Sequence, residues 1–106
     1  MSGSDPRRTA KIGPAADTRK RFCVGVFDSG IGGVSVLRAI HRSLPQLDLH
    51  YVADTEHAPY GAQRDADIRL RARCVTEFLF QQGADAVVLA CNTATAVAIP
   101  ALRRIY

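Results

Sequence analysis

No apolar run in this chain approaches the roughly 18–20 residues that cross a bilayer, and the amino terminus lacks the apolar core of a secretion signal. A cytoplasmic protein with no membrane partner is expected. Cysteine is scarce: Cys23, Cys74 and Cys91 form an odd set with neither CxxC spacing nor the paired spacing of a disulfide framework. The thiols read as free. His41, His50 and His57 show no ligand spacing with one another or with the cysteines, so no metal is expected. Aromatic residues make up 7% of the 106 residues, against 47% hydrophobic and 23% charged, a balance that places the chain with globular rather than disordered or fibrous proteins. There are no internal repeats, and the length allows one small domain.

The net charge of +4 suggests nucleic acid at first. Its distribution argues otherwise. Arg7, Arg8, Lys11, Arg19, Lys20 and Arg21, set against Asp5 and Asp17, hold the whole excess, while residues 22–106 balance eight arginines with eight acids. Residues 1–21, which contain Gly, Ser and Pro, therefore read as a disordered basic leader. No nucleic-acid partner is expected.

The remainder alternates between two periodicities. Phe22 to Phe27 is a nearly continuous apolar run, as for a strand buried on both faces. It breaks at Asp28-Ser29-Gly30-Ile31-Gly32-Gly33, after which Val34, Leu37, Ile40 and Leu44 recur at helical spacing up to Pro45. A second strand is expected over Leu47–Ala53, leading to Asp54. The stretch Thr55–Arg64, with Pro59-Tyr60-Gly61, has turn chemistry. Asp65 can cap a helix running to Gln82, with Ile68, Ala72, Val75 and Leu79 inward and Gly83 as its stop. The third strand is Ala86–Ala90, followed by Cys91 and a helix that Pro100 interrupts or restarts. The order β-α-β-α-β-α predicts an α/β fold with a three-stranded parallel sheet and right-handed crossovers.

That alternation ends all three strands at one edge of the sheet. Asp28 and Ser29, the loop after Asp54, and Cys91 with Asn92 and Thr93 should converge there, where α/β proteins bind ligands. A nucleotide fits poorly. Ser35 stands where GxGxxG needs its third glycine, the Walker lysine is missing, and Asp28 would set a carboxylate beside the phosphate. On the residues alone Asp28 reads equally as a helix cap or a catalytic carboxylate. A lone cysteine such as Cys91 is more often a small buried residue than a base. Its neighbours favour chemistry: the following helix promotes a thiolate, and Asn92 and Thr93 in its first turn suit a small carboxylate.

Three segments carry a family resemblance: Val26–Leu37, Ala53-Asp54-Thr55 with Ala58-Pro59-Tyr60-Gly61, and Ala90–Ala96 containing CNTAT. In this order and spacing they resemble the amino-terminal half of the glutamate racemases, over about Phe22–Tyr106. The resemblance implies a cofactor-independent isomerase that interconverts L- and D-glutamate and supplies D-glutamate for peptidoglycan. It implies that Cys91 is one of two acid/base thiols and that Asp28 and Ser29 contact the substrate, with Asp28 also assisting proton transfer. Tyr60, Gly61, Asn92 and Thr93 would bind the carboxylates and ammonium of glutamate.

One expected part is missing. The family's second thiol lies in a Gly-Cys-Thr-His segment of a second α/β domain, and no such segment occurs before Tyr106. Cys23 and Cys74 match no second-base motif and read as core or packing residues. Residues 22–106 are therefore expected to be an incomplete first domain, marginally folded or aggregation-prone, and inactive as a racemase alone. Its opposite half would come from a missing domain or another copy. The alternative is a non-catalytic half-site module that binds an acidic amino acid or a partner chain.

Overall fold

The computed structural model describes residues 8–12, 21–30, 32–57 and 60–106. Four strands form one sheet in the order β1-β3-β2-β4. Strands β2 (Cys23–Asp28), β3 (Asp48–Ala53) and β4 (Ala86–Leu89) are the expected parallel set. In register, β2 sets Asp28 opposite Ala53 of β3 and Phe27 opposite Leu89 of β4.

The fourth strand falls where the sequence reading has a disordered leader. β1 (Arg8–Ile12) pairs antiparallel with β3, Ala10 opposite Tyr51. β3 would otherwise end the sheet with a row of unpaired backbone groups, and Arg8–Ile12 pairs with them. The rest of the expected leader, residues 1–7 and 13–20, lies outside the described residues, apart from Arg21.

Helices cover both faces. On one face α1 (Val34–Ser43) buries Leu37 against Val24, Val26, Leu49, Tyr51 and Ala53. On the other, α2 (Asp65–Gln81) and α3 (Asn92–Leu102) pack over Phe27 and Val52. The expected α2 stripe, Ile68, Ala72, Val75 and Leu79, is fully buried. Gly25 of β2 is what lets α2 approach so closely, because a β-carbon there would lie 3.0 Å from a Leu79 methyl. Cys74 falls off that stripe and is exposed, which corrects its reading as a core residue. Cys23 is half-buried at the start of β2.

Helix boundaries follow local chemistry. Asp65 and Asp67 occupy the first turn of α2, where their charge meets the helix dipole; Asp65 itself makes no side-chain cap, and Arg64 holds the cap position. Gly83, at φ +100°, closes a Schellman turn in which the Ala84 and Gly83 amides donate to the Leu79 and Phe80 carbonyls, both at 3.0 Å. Pro100 does not interrupt α3, which runs through it to Leu102. Among the described residues no helix is long and apolar enough to cross a membrane.

Among the described residues β4 is an edge of the sheet, with no strand on its outer side. Beside it an open groove of about 300 Å³ runs between α2 and α3, lined by Thr76, Phe80, Leu89, Ile99, Leu102 and Tyr106 among others. Val88 is exposed on the opposite face of β4.

Candidate functional site

β2 is the only parallel strand whose outgoing loop leads to the α1 face; β3 and β4 feed α2 and α3 on the other. Loops leaving adjacent strands in opposite directions open a crevice between them, the usual ligand position in open α/β sheets. Asp28 and Ser29 end β2 on one side of that crevice. Cys91 follows β4 on the other.

The crevice is closed by a direct contact: the Ser29 hydroxyl donates to Cys91 Sγ at 3.3 Å, bridging 62 positions in sequence. Cys91 is half-buried and caps α3, its sulfur accepting from the Ala94 amide at 3.5 Å. The Thr95 hydroxyl holds the Cys91 carbonyl at 2.8 Å, fixing the turn from strand to helix. The sulfur thus faces two donors and the amino end of an 11-residue helix. Asn92 is exposed and Thr93 half-buried in the first turn of α3, beside Cys91.

Asp28 resolves the choice between cap and carboxylate in an unexpected way. Its Oδ1 accepts from the Ser29 amide at 2.8 Å and its Oδ2 from the Gly33 amide at 2.6 Å, so it folds the loop that presents Ser29. A carboxylate has about four acceptor sites, and these two bonds leave capacity for a ligand. The loop is tied down again from β3, where the Tyr51 hydroxyl donates to the Gly30 carbonyl at 3.1 Å. Burial, and then the nearby Asp28 charge, raise the Tyr51 phenol above its ordinary value, keeping it a donor. Gly33 must be glycine, since a β-carbon would lie 2.9 Å from Asp28 Cβ and 3.0 Å from Ala90 Cβ.

Tyr60 lies elsewhere than a ligand-facing side chain would. It is buried at 1% exposure, its ring edge-on to Phe27 with centroids 6.0 Å apart. Its hydroxyl donates to Asp54 Oδ2 at 2.6 Å. Its backbone and Gly61, which is exposed with open space around its α-carbon, are the parts of this turn left to face a ligand.

Sequence reasoning treated Asp54 as a strand end and missed what it joins. Wholly buried, Asp54 receives Arg71 Nε at 2.9 Å and Nη2 at 3.1 Å, the Tyr60 hydroxyl, and His57 Nδ1 at 3.2 Å. Burial opposes its charge, but the hydrogen bonds from Arg71 and Tyr60, the Arg71 charge and the His57 bond outweigh it and hold the carboxyl below its usual range. Burial, followed by the bond to Asp54, pushes the Tyr60 phenol far up, with a smaller contribution from Cys91. The pair spans seventeen positions between a strand end and a helix, and no local spacing rule links them.

Among the described residues no three His, Cys, Asp or Glu side chains group to hold a metal. The arrangement suits proton transfer at a small polar ligand: a cysteine sulfur, a hydroxyl, a carboxylate and a helix amino end meet at one crevice.

No protein-family model matches the chain. Individual relatives do. It is 58% identical over 83 residues to the glutamate racemase of Ectopseudomonas mendocina, covering 78% of this chain and 32% of that protein. It is 56% identical over 86 residues to that of Deinococcus radiodurans, covering 80% and 29%. Among solved structures, glutamate racemase from Thermus thermophilus in complex with β-chloro-D-alanine superposes with a TM-score of 0.77 at 42% identity, over 81% of this chain and 34% of that one. Escherichia coli glutamate racemase in complex with L-glutamate and the activator UDP-MurNAc-Ala gives 0.75 at 40% identity, over 82% and 33%. The chain spans about a third of the length of the relatives it matches.

Proposed function

We propose that this chain, which is related to the glutamate racemases over about four-fifths of its length, carries one half of a cofactor-independent, two-base site that interconverts L- and D-glutamate. The observation that carries this reading is the Ser29–Cys91 contact across the crevice.

In this reading Cys91 exchanges the α-proton on one face of glutamate. Loss of that proton leaves a carbanion whose charge spreads onto the α-carboxylate, so donors already aimed at the carboxylate lower the barrier. Asn92, Thr93 and the first turn of α3 supply donors on the Cys91 side. Gly61 and the Tyr60 backbone supply the other wall. Ser29 orients the sulfur through its hydroxyl and presents that hydroxyl at the crevice. Asp28 shapes the Ser29 loop, and its unused lone pairs receive the ammonium and assist proton transfer.

Inversion needs a second acid/base group on the opposite face. Cys23 is at the far end of β2 from Cys91, and Cys74 lies on the exposed side of α2. The second base therefore comes from outside these residues, in a further domain or another chain. The D-glutamate produced would serve peptidoglycan synthesis, and glutamate is the only partner the proposal requires.

Alkylation of Cys91 by iodoacetamide, followed peptide by peptide, tests the half-site. Millimolar glutamate is expected to protect Cys91 and leave Cys74 reactive, and the chain alone is expected not to racemise. Equal reactivity of Cys91 with and without glutamate would refute the site. Racemisation by the 106-residue chain at ordinary enzyme rates would refute the two-base assignment.

A further inference from the structure

The Asp54–Arg71 pair is the strongest polar feature outside the crevice, and nothing in the proton-transfer scheme uses it. Its members come from a strand end, two 3-10 turns and a helix. Asp54 ends β3, Tyr60 and His57 sit on the 3-10 turns Tyr60–Ala62 and Thr55–His57, and Arg71 projects from α2. One buried carboxylate therefore ties a strand end, a loop and a helix together. The Asp54 amide also donates to the Asp28 carbonyl at 2.9 Å, joining the cluster to the β2 terminus.

We infer that Arg71 is a positioning residue: through Asp54 and Tyr60 it fixes the Tyr60–Ala62 turn, and with it Gly61 and the Tyr60 backbone, against the ends of β2 and β4. The inference rests on the reading of this crevice as a glutamate half-site and adds a residue that touches no ligand. Three observations support it. The Arg71 fork engages both oxygens of Asp54, a geometry a lysine ammonium does not reproduce. Among the described residues the Tyr60 hydroxyl bonds Asp54, so the ring is oriented by the carboxylate that Arg71 holds. Tyr60 belongs to the core cluster against which Cys91 packs, and α3 rests on the Tyr60–Ala62 turn, so a shift of the ring reaches the sulfur. The Gln63 side-chain amide also donates to the His57 carbonyl, tying the residues after the Tyr60–Ala62 turn back to the Thr55–His57 turn.

Loss of Arg71 alone leaves a buried, unpaired charge and lowers stability whatever its role. The informative protein is the double variant Asp54→Asn with Arg71→Met, which removes both charges. Two readouts are taken on the 106-residue chain: amide hydrogen exchange over 55–64, and the glutamate concentration that half-protects Cys91 from iodoacetamide. Exchange over 55–64 is expected to quicken at least tenfold while the β2 and β3 amides keep their protection, and half-protection is expected to need about tenfold more glutamate. Unchanged exchange over 55–64 in a folded double variant overturns the inference. So does restored stability accompanied by parental glutamate protection, the result of a purely structural pair. If the double variant does not fold, Arg71→Lys, which keeps the charge and loses the fork, is expected to show the same changes at about a third of the size; parental values there overturn the inference equally. Failure of glutamate to protect Cys91 in the parent chain counts against the glutamate reading, and loop exchange then decides the role of Arg71 by itself.

Discussion

Gly33→Ala is the most direct challenge to the geometry that joins the two strand ends. The new methyl would lie 2.9 Å from Asp28 Cβ and 3.0 Å from Ala90 Cβ, closer than β-carbons tolerate. Both obstacles are rooted in backbone, so neither can rotate away, and relief requires β2 and β4 to part or α1 to lift. Backbone conformation adds nothing, since Gly33 has an ordinary helical φ of −75°. Overpacking of this kind costs about 1–3 kcal/mol, and replacing glycine by alanine returns about 0.4–1 kcal/mol through the unfolded chain. A net loss of about 1.5 kcal/mol, at roughly 4–8 °C per kcal/mol for a domain of this size, lowers the thermal midpoint by about 6–12 °C. Gly30→Ala is the control, because a β-carbon there meets nothing within 4 Å. The assay is thermal unfolding followed by far-ultraviolet circular dichroism, with Cys91 alkylation measured well below the midpoint. Gly33→Ala should melt lower and alkylate faster at Cys91 than Gly30→Ala. Identical melting of the two variants would refute the claim that Gly33 sets the spacing across the crevice.

Three further outcomes are expected. Ser29→Ala removes the hydroxyl donor to Cys91 Sγ; a hydrogen bond worth about 0.5–1.5 kcal/mol predicts a stability lower by about that amount in urea unfolding, and an unchanged midpoint would show that the contact does not hold the two strand ends together. Asp54 has its carboxyl held below the usual range, so its network stabilises the fold above the unfolded carboxyl value of about 4 and is lost as pH falls through the folded value. Urea midpoints at pH 7 and pH 3 measure that loss, and an equally large acid loss in Asp54→Asn would assign it to other groups. Val88→Lys places a charge on the bare β4 edge; it should shift concentration-dependent association, read by light scattering, toward monomer, and no shift would mean that self-association uses another surface.

The parallel strands were legible as short apolar runs, and α1 and α2 as helical stripes bounded by residues with a mechanism. Val34 opens α1 at the residue expected, and Gly83 ends α2 by the left-handed turn that glycine favours. The convergence of Asp28, Ser29 and Cys91 followed from strand order alone. What stayed hidden was set by tertiary context. β1 exists because β3 presents a free edge, which no property of Arg8–Ile12 announces. Pro100 stays within α3, although the helix loses one amide donor there. The direction of the Tyr60 ring was decided by Asp54 and Arg71, six and eleven positions away on different elements, whereas its place in a turn motif pointed only to the crevice.

The central place of β2 has a kinetic consequence. β2 is the earliest of the parallel strands in the chain, yet both of its partners follow it, β3 first and β4 last. The pairing with β4 closes the longest loop in the sheet, and such non-local contacts form late because chain entropy is lost before they reward it. Cys91 meets Ser29 across that longest closure, so any species in which β2 and β4 are not yet paired carries the thiol apart from the hydroxyl that completes its surroundings.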